Sequence, residues 1–273
     1  MTQGFAIRLF GGLEIALDDA PLGPFMSAKA PALLAYLAVT GRPHRREALA
    51  GLLWGELPDA AAANNLRQVL TSLRKELEPF LLVTRETVEL NPARPYRLDV
   101  AEFAALLAPA ADLAPAERAR RQQAAADLYR GDFLAGFYVR DAPDFEEWML
   151  AQRARYRELA LNAFHALAQR HLEVGEYDAA IHDAAALLAL DPWREETHGQ
   201  LMLALARTGQ RSAALAQYGR CRRLLQDELG VEPSAETMAL YERIKASLHG
   251  PRHNLPAVTT GFVGREEELA ALR

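Results

Sequence analysis

Residues 64–77, NNLRQVLTSLRKEL, divide into two faces when wound as a helix at about 100° per residue. Leu66, Val69, Leu70, Leu73 and Leu77 fall in one apolar stripe, the side that has to be buried. Asn64, Gln68, Thr71 and Lys75 lie opposite, with Arg67 and Arg74 on one flank and Ser72 on the other. A leucine seam that holds amide, hydroxyl, guanidinium and ammonium groups outward offers the donors and acceptors that read base edges and phosphates. The same pattern describes an ordinary amphipathic helix with a solvated face, so the neighbouring elements have to decide between the two.

On the N-terminal side, FAIRLFG and LEIALD (residues 5–18) predict two short strands turned at Gly11-Gly12, where glycine supplies the positive φ of a tight hairpin. A further extended piece is expected around Ala20–Gly23. Ser27 is expected to cap a helix running to about Thr40, with Leu33, Leu34 and Leu37 at core spacing and Gly41 as its terminator. A second helix, Arg45 to Leu53, would bury Leu49, Leu52 and Leu53, with Trp54 just past its end. The loop Gly55–Asp59, which contains Pro58, leads into the two-faced helix, and this helix ends before Pro79. LLVTR and VELN then predict two strands joined at Glu86-Thr87. Hairpin, three helices, hairpin is the order of a winged helix-turn-helix. Its last helix enters the major groove while the hairpin wing touches the neighbouring backbone.

A chain of 273 residues, half hydrophobic and a quarter charged, is long enough for two folded domains. No apolar run approaches the roughly 18 residues of a membrane span. The N-terminus lacks the basic start and long apolar stretch of a secretory signal. The lone Cys221 excludes an intramolecular disulfide and any multi-cysteine metal site. The expected compartment is the cytoplasm. The net charge of −5 is unevenly spread, +1 over residues 1–98 and −6 over the remainder. Positive residues in the first part concentrate at His44-Arg45-Arg46 and at Arg67, Arg74, Lys75 and Arg85, so affinity for nucleic acid has to come from a local patch.

From Asp99 onward the pattern is helical, rich in alanine and leucine. Gly175-Glu176-Tyr177-Asp178-Ala179-Ala180 and Gly209-Gln210-Arg211-Ser212-Ala213-Ala214 align 34 residues apart, the period of tetratricopeptide repeats. Upstream, Asp144 to Val174 would supply one long helix or a bent pair, and a helix after Pro233, to about Leu248, would cap the stack. Trp148, Tyr156, Tyr177, Trp193 and Tyr218 are assigned to repeat core and interhelix packing. Residues 249–260 have the glycine and proline content of a linker.

Several stretches resemble a known family. LYRGDFLAGF (128–137), DFEEWMLAQRARYRELAL (144–161), LDPWREETHGQLMLALARTGQRSAALAQY (190–218) and LLQDELGVEPSAETMALYERI (224–244) are similar to the bacterial transcriptional activator domain. That domain follows an OmpR-like winged helix in the Streptomyces antibiotic regulatory protein family. RLFGGLEIAL, REALAGLLWGE and LTSLRKEL resemble that winged helix, so the resemblance covers about residues 5–248. The fold it implies is mainly α: a winged helix-turn-helix over 1–98, then an all-α, tetratricopeptide-like domain over 99–248. Residues 249–273 would be a linker and the start of an ATPase module, since Gly261-Phe262-Val263-Gly264-Arg265-Glu266 resembles the opening of that module in larger members. The chain stops before any P-loop, and so looks like the N-terminal portion of a longer regulator. The resemblance implies a cytoplasmic activator that binds double-stranded DNA at direct repeats as a homodimer and recruits RNA polymerase, with no cofactor. One departure concerns the wing. Many members place Gly-Tyr-Arg-Leu after it, whereas VTRETVELNPARPYRLDV is longer and lacks that glycine, which leaves Arg85, Arg94 and Arg97 as alternative wing contacts.

On the two-faced helix, Asn64, Arg67, Gln68, Thr71 and Lys75 are expected to point into the groove, where Arg pairs with guanine and Asn or Gln with adenine. Ser72, Arg74 and Lys75 are placed on phosphates. Arg45 and Arg46, at the start of the second helix, and Arg85 on the wing are candidate backbone contacts. Catalysis finds no constellation of nucleophile, base and orienting group. H-E-x-x-H and G-x-S-x-G are absent, and His165, His171 and His182 fall on predicted repeat helices. A second reading is a repeat-based adaptor whose winged helix does not bind DNA and serves protein interaction. The acidic C-terminal half suits a basic protein surface better than DNA.

Overall fold

A computed structural model describes residues 4–25, 27–110 and 112–249, so the expected linker and Gly-Arg-Glu element lie outside the described residues. The N-terminal part is a winged helix. Strands β1 (Phe5–Arg8), β2 (Glu14–Leu17) and β3 (Ala20–Pro21) form an antiparallel meander, and β7 (Tyr96–Leu98) joins it parallel to β1. Three helices follow the meander: α1 (Lys29–Thr40), α2 (Arg46–Trp54) and α3 (Asp59–Leu77). After a 3₁₀ turn at Glu78–Phe80, β5 (Leu81–Val83) and β6 (Thr87–Leu90) form the wing. The two-residue β4 (His44–Arg45) pairs with β6 as its third strand.

Two expectations change. The β1–β2 connection is not a two-residue hairpin, because the last register pair is Arg8 with Glu14 and residues 9–13 bridge the strands. Ser27 stands just outside α1, where its Oγ accepts from Lys29 N–H at 3.1 Å, and the residue at the cap is Ala28. The two-faced helix runs from Asp59 to Leu77, following directly on the expected Gly55–Asp59 loop. Alanines 60–63 favour helix strongly enough to extend it back to Pro58, whose fixed φ starts it.

Helices α4 (Asp99–Leu107) and α5 (Pro115–Leu128) lead to α6 (Pro143–Val174), one continuous helix of 32 residues. The repeats follow as α7 (Tyr177–Leu190), α8 (Glu195–Arg207), α9 (Arg211–Leu229) and α10 (Ala235–His249). The 34-residue period has a backbone cause. Gly175 and Gly209 end α6 and α8 with φ of 80° and 81°, a left-handed conformation that costs glycine little. The next residues, Glu176 and Gln210, each donate back to a carbonyl five positions earlier, at 2.8 Å in both. Ala180, Ala184 and Ala214 are fully buried between the helices, where a small side chain permits close approach. Trp193 is a correction: it lies in the α7–α8 turn and is half exposed, outside the repeat core. None of the described helices is long and apolar enough to cross a membrane.

Winged helix and repeats share a core. Leu9, Phe10 and Gly11 in the β1–β2 connection meet the LYRGDFL segment, where Leu134 N–H donates to Leu9 O at 2.7 Å and Gly11 N–H to Asp132 O at 3.1 Å. The Asp99 carboxylate, at the start of α4, accepts N–H groups of Leu9 (2.9 Å), Phe10 (3.0 Å) and Val100 (2.8 Å) while almost fully buried. Burial pushes its carboxyl pKa up, and the three N–H donors oppose that shift. Backbone meets backbone at two glycines. A Cβ on Gly11 would stand 3.0 Å from Arg130 O, and one on Gly131 would stand 3.2 Å from Gly11 Cα. Phe10 then inserts among Phe103, Tyr129 and Tyr156, with ring centroids 5.0, 4.9 and 5.6 Å away.

Two histidines of the repeats are paired across helices. His198 Nδ1 accepts from the Gln217 amide at 2.7 Å and its Nε2 faces Pro192 O at 2.8 Å, the pattern of a neutral ring. His171 contacts Asp183 at 2.7 Å between α6 and α7. In the winged helix, His44 is buried against Thr40 Oγ1 at 2.7 Å. Burial pushes the pKa of both His44 and His198 down.

Two predictions follow from these contacts. Asp99→Asn replaces one acceptor oxygen with an amide that faces peptide donors, and should cost about 2–4 kcal/mol, read as a lowered midpoint in thermal unfolding. His44 and His198 bind protons more readily unfolded than folded. Their contribution is therefore complete at neutral pH and is lost as pH falls below about 6.5 towards the lower folded values. The melting temperature should drop across that window, and His198→Gln should make the drop shallower.

Candidate nucleic-acid interface

Helix α3 packs on α1, α2 and β5 through Ala62, Leu66, Leu70, Leu73 and Leu77, all buried, while Val69 is half buried. Asp59 in its first turn and Arg74 and Lys75 in its last turn suit the helix dipole. Opposite the leucines, Asn64, Arg67, Gln68, Thr71, Arg74 and Lys75 are all exposed and Ser72 is half buried. The helical domain leaves this face uncovered. Along it, Arg67 Nη1 donates to Asn64 Oδ1 at 3.1 Å, and the Thr71 hydroxyl donates to its own helix at Arg67 O, 2.8 Å away. Asn64 therefore steers the guanidinium, and Thr71 stays exposed with its hydroxyl proton committed to the helix. Gln68 and Ser72 also border a hollow of about 280 Å³ with Asn65 and Trp54.

The wing tip is a threonine-built turn. Thr84 Oγ1 accepts from Thr87 N–H at 2.8 Å and Glu86 N–H at 3.2 Å, and Thr84 N–H returns to Thr87 O at 2.9 Å. Arg85 sits at the apex, exposed. Arg45 is on β4 opposite Thr87 and exposed, so it belongs to the wing sheet and not to the second helix. Arg46 begins α2 half buried, its Nη1 on Thr84 O at 3.2 Å and its N–H on Glu86 O at 2.9 Å. That makes it the brace that fixes the wing tip against α2. Arg45, Arg46 and Arg85 thus meet at one end of the three-stranded sheet.

Arg97 leaves the set of wing alternatives. It lies on β7 in the other sheet, 3.5 Å from Glu102. Arg94 is exposed in a loop closed by its own N–H on Asn91 O at 3.0 Å. His44, counted with the basic cluster, is buried and held uncharged, with Arg42 adding to the effect of burial. The positive patch rests on arginine and lysine alone. Two residues outside the sequence reading also shape this face. Thr84 builds the wing turn, and its spacing from Thr87 is the legible signal. Lys29 lies over the Trp54 ring at 5.2 Å and donates to Asp141 O at 3.1 Å, a contact across 112 positions that no local pattern announces.

Comparison with known proteins agrees with this architecture. Residues 98–245 match the model of the bacterial transcriptional activator domain. The chain is 36% identical to the regulatory protein AfsR of Streptomyces coelicolor over 84% of its own length and 24% of AfsR, so it spans about a quarter of that relative. It is 30% identical to the transcriptional regulatory protein EmbR of Mycobacterium tuberculosis, covering 86% of this chain and 62% of EmbR. With the regulatory protein DnrI of Streptomyces peucetius the identity is 29%, over 77% of this chain and 81% of DnrI. A solved structure of Mycobacterium tuberculosis EmbR in complex with a low-affinity phosphopeptide superposes with a TM-score of 0.64 at 26% identity, covering 90% of this chain and 66% of that one.

Arg46→Ala removes the guanidinium brace but keeps the backbone bond. Hydrogen exchange at the Glu86 and Thr87 amides should speed up by about 2- to 10-fold, the loss of one solvent-accessible hydrogen bond, while the global melting temperature stays nearly unchanged.

Proposed function

This chain belongs to the bacterial transcriptional activator domain family, in its Streptomyces antibiotic regulatory protein type, and on that premise we propose that it is a sequence-specific DNA-binding regulator of transcription. The observation that carries this reading is the α3 face: seven polar or charged side chains on a leucine-anchored helix, none of them fully buried, left open by the domain packed behind.

In the proposed complex α3 lies in the major groove. Arg67, steered by Asn64, takes a guanine edge; Asn64 and Gln68 take adenine edges; Thr71 offers its methyl group and lone pair. Lys75, Arg74 and Ser72 hold phosphates at the C-terminal half of the helix, and Arg45 and Arg85 hold the backbone next to the wing. Arg46 acts through the wing and does not itself touch DNA. The domain boundary is proposed at Leu98–Asp99, where β7 ends and α4 begins. The finer reading is an activator acting from direct repeats as a side-by-side homodimer, with the acidic helical domain turned to RNA polymerase. The relatives named as transcriptional regulators support the regulatory role. The near-neutral charge of residues 1–98 favours the second reading, a repeat-based adaptor.

Fluorescence anisotropy on duplexes from the upstream region of the protein's own gene separates the two. Affinity should fall steeply with salt. Arg67→Ala should weaken specific binding by about 5- to 150-fold, the worth of one bidentate base contact. Lys75→Ala should weaken specific and random duplexes alike and lower the salt slope by about 1. A weak, salt-insensitive signal that neither substitution changes would favour the adaptor.

A further inference from the structure

The groove between α6, α8 and α10 differs in charge from the domain that contains it. Its volume is about 840 Å³, and Arg207, Arg211 and Arg243 line it together with Leu203, Leu240, Gln200 and one carboxylate, Glu173. Residues 99–273 carry a net charge of −6. Arg157, Arg194 and Arg222 each sit within 4 Å of a carboxylate, while Arg170, Arg220 and Arg223 stand unpaired among the described residues, like the groove arginines, but outside the groove. The three groove arginines have no carboxylate partner among the described residues. Three guanidinium groups against the single Glu173 carboxylate leave the groove positive in an acidic domain, which attracts an anionic partner and orients it.

The groove floor is also incomplete. Gln200 is 7% exposed, and its Nε2 donates to Gln169 Oε1 at 3.2 Å, whose own amide donates to Glu173 at 2.9 Å. The Gln200 Oε1 at the head of this relay is buried with no donor, as are Thr197 Oγ1 and Gln217 Oε1 nearby, but of these three residues only Gln200 lines the groove. Leu203 and Leu240 stay half buried beside it, apolar surface that gains when covered.

We propose that this groove is the docking site for an acidic, leucine-bearing peptide segment of a partner protein. Its carboxylates pair with Arg207, Arg211 and Arg243, and its leucines cover Leu203 and Leu240. This site lies on helices other than α3 and does not depend on the DNA reading.

The test titrates the fluorescein-labelled peptide ELEELLDELE with the full 273-residue chain at low ionic strength. Saturable binding is expected, together with a loss of about tenfold or more in the Arg207→Glu/Arg243→Glu double variant. Arg207→Gln/Arg243→Gln provides a milder loss of several-fold should the reversal disturb folding, and circular dichroism reports the fold of each variant. The lysine counterpart KLKKLLKKLK should not bind. No saturation, equal binding of the lysine peptide, or unchanged affinity in well-folded variants overturns the proposal. So does binding of a peptide of residues 261–273 where the acidic decamer fails, since the occupant would then be the chain's own C-terminal segment.

Discussion

One buried carboxylate holds the two halves of this protein in register. Asp99 takes the N–H groups of Leu9 and Phe10 from the winged helix and of Val100 from its own helix start. Stripped of water, such a carboxylate would be expensive, and the three donors replace its hydration shell. The Gly11–Gly131 approach depends on it, because the two backbones come so near that neither position admits a side chain without displacement. Phe10 follows into the aromatic cage of the helical domain as a consequence.

That junction explains why α3 is open. The helical domain attaches through the β1–β2 connection and through α6, which packs along α2 and sets Trp148 against Tyr36 with ring centroids 4.9 Å apart. It covers the side of the winged helix behind α3. The free face of α3 and the wing tip therefore stay together at the exposed end, and Arg46 fixes the position of Arg85 by gripping Thr84 and Glu86. In the repeats two different pairings tie helices together: the His198 ring between Pro192 and Gln217, and His171 against the buried Asp183 carboxyl.

Much of this was legible in the chain. The two faces of residues 64–77, the hairpin-helix-hairpin order and the 34-residue spacing of Gly175 and Gly209 each follow from local periodicity or from backbone demands that few residue types meet. The misreadings have a common source. Gly11-Gly12 looks like a tight turn because glycine suits one, yet the positive φ there serves a close approach to Arg130 and Gly131, more than a hundred residues away. Trp193 was assigned to the core because tryptophan usually is buried. A further role for Arg46, bracing Thr84 and Glu86 of the wing, depends on the return of the wing to the start of α2 and has no local signal.

Sequence alone determined the elements, since helix faces, glycine caps and repeat period depend on interactions within a few residues. It also determined the chemistry of the candidate reading face, because the side chains opposite a leucine seam have to point away from the core. The tertiary structure decided which basic residues act together, since Arg45, Arg46 and Arg85 converge only when β4 pairs with β6. It likewise decided that three arginines from α8, α9 and α10 share one groove. These are long-range juxtapositions, set by packing and by the Asp99 junction, and no local pattern of residues encodes a distance across the fold.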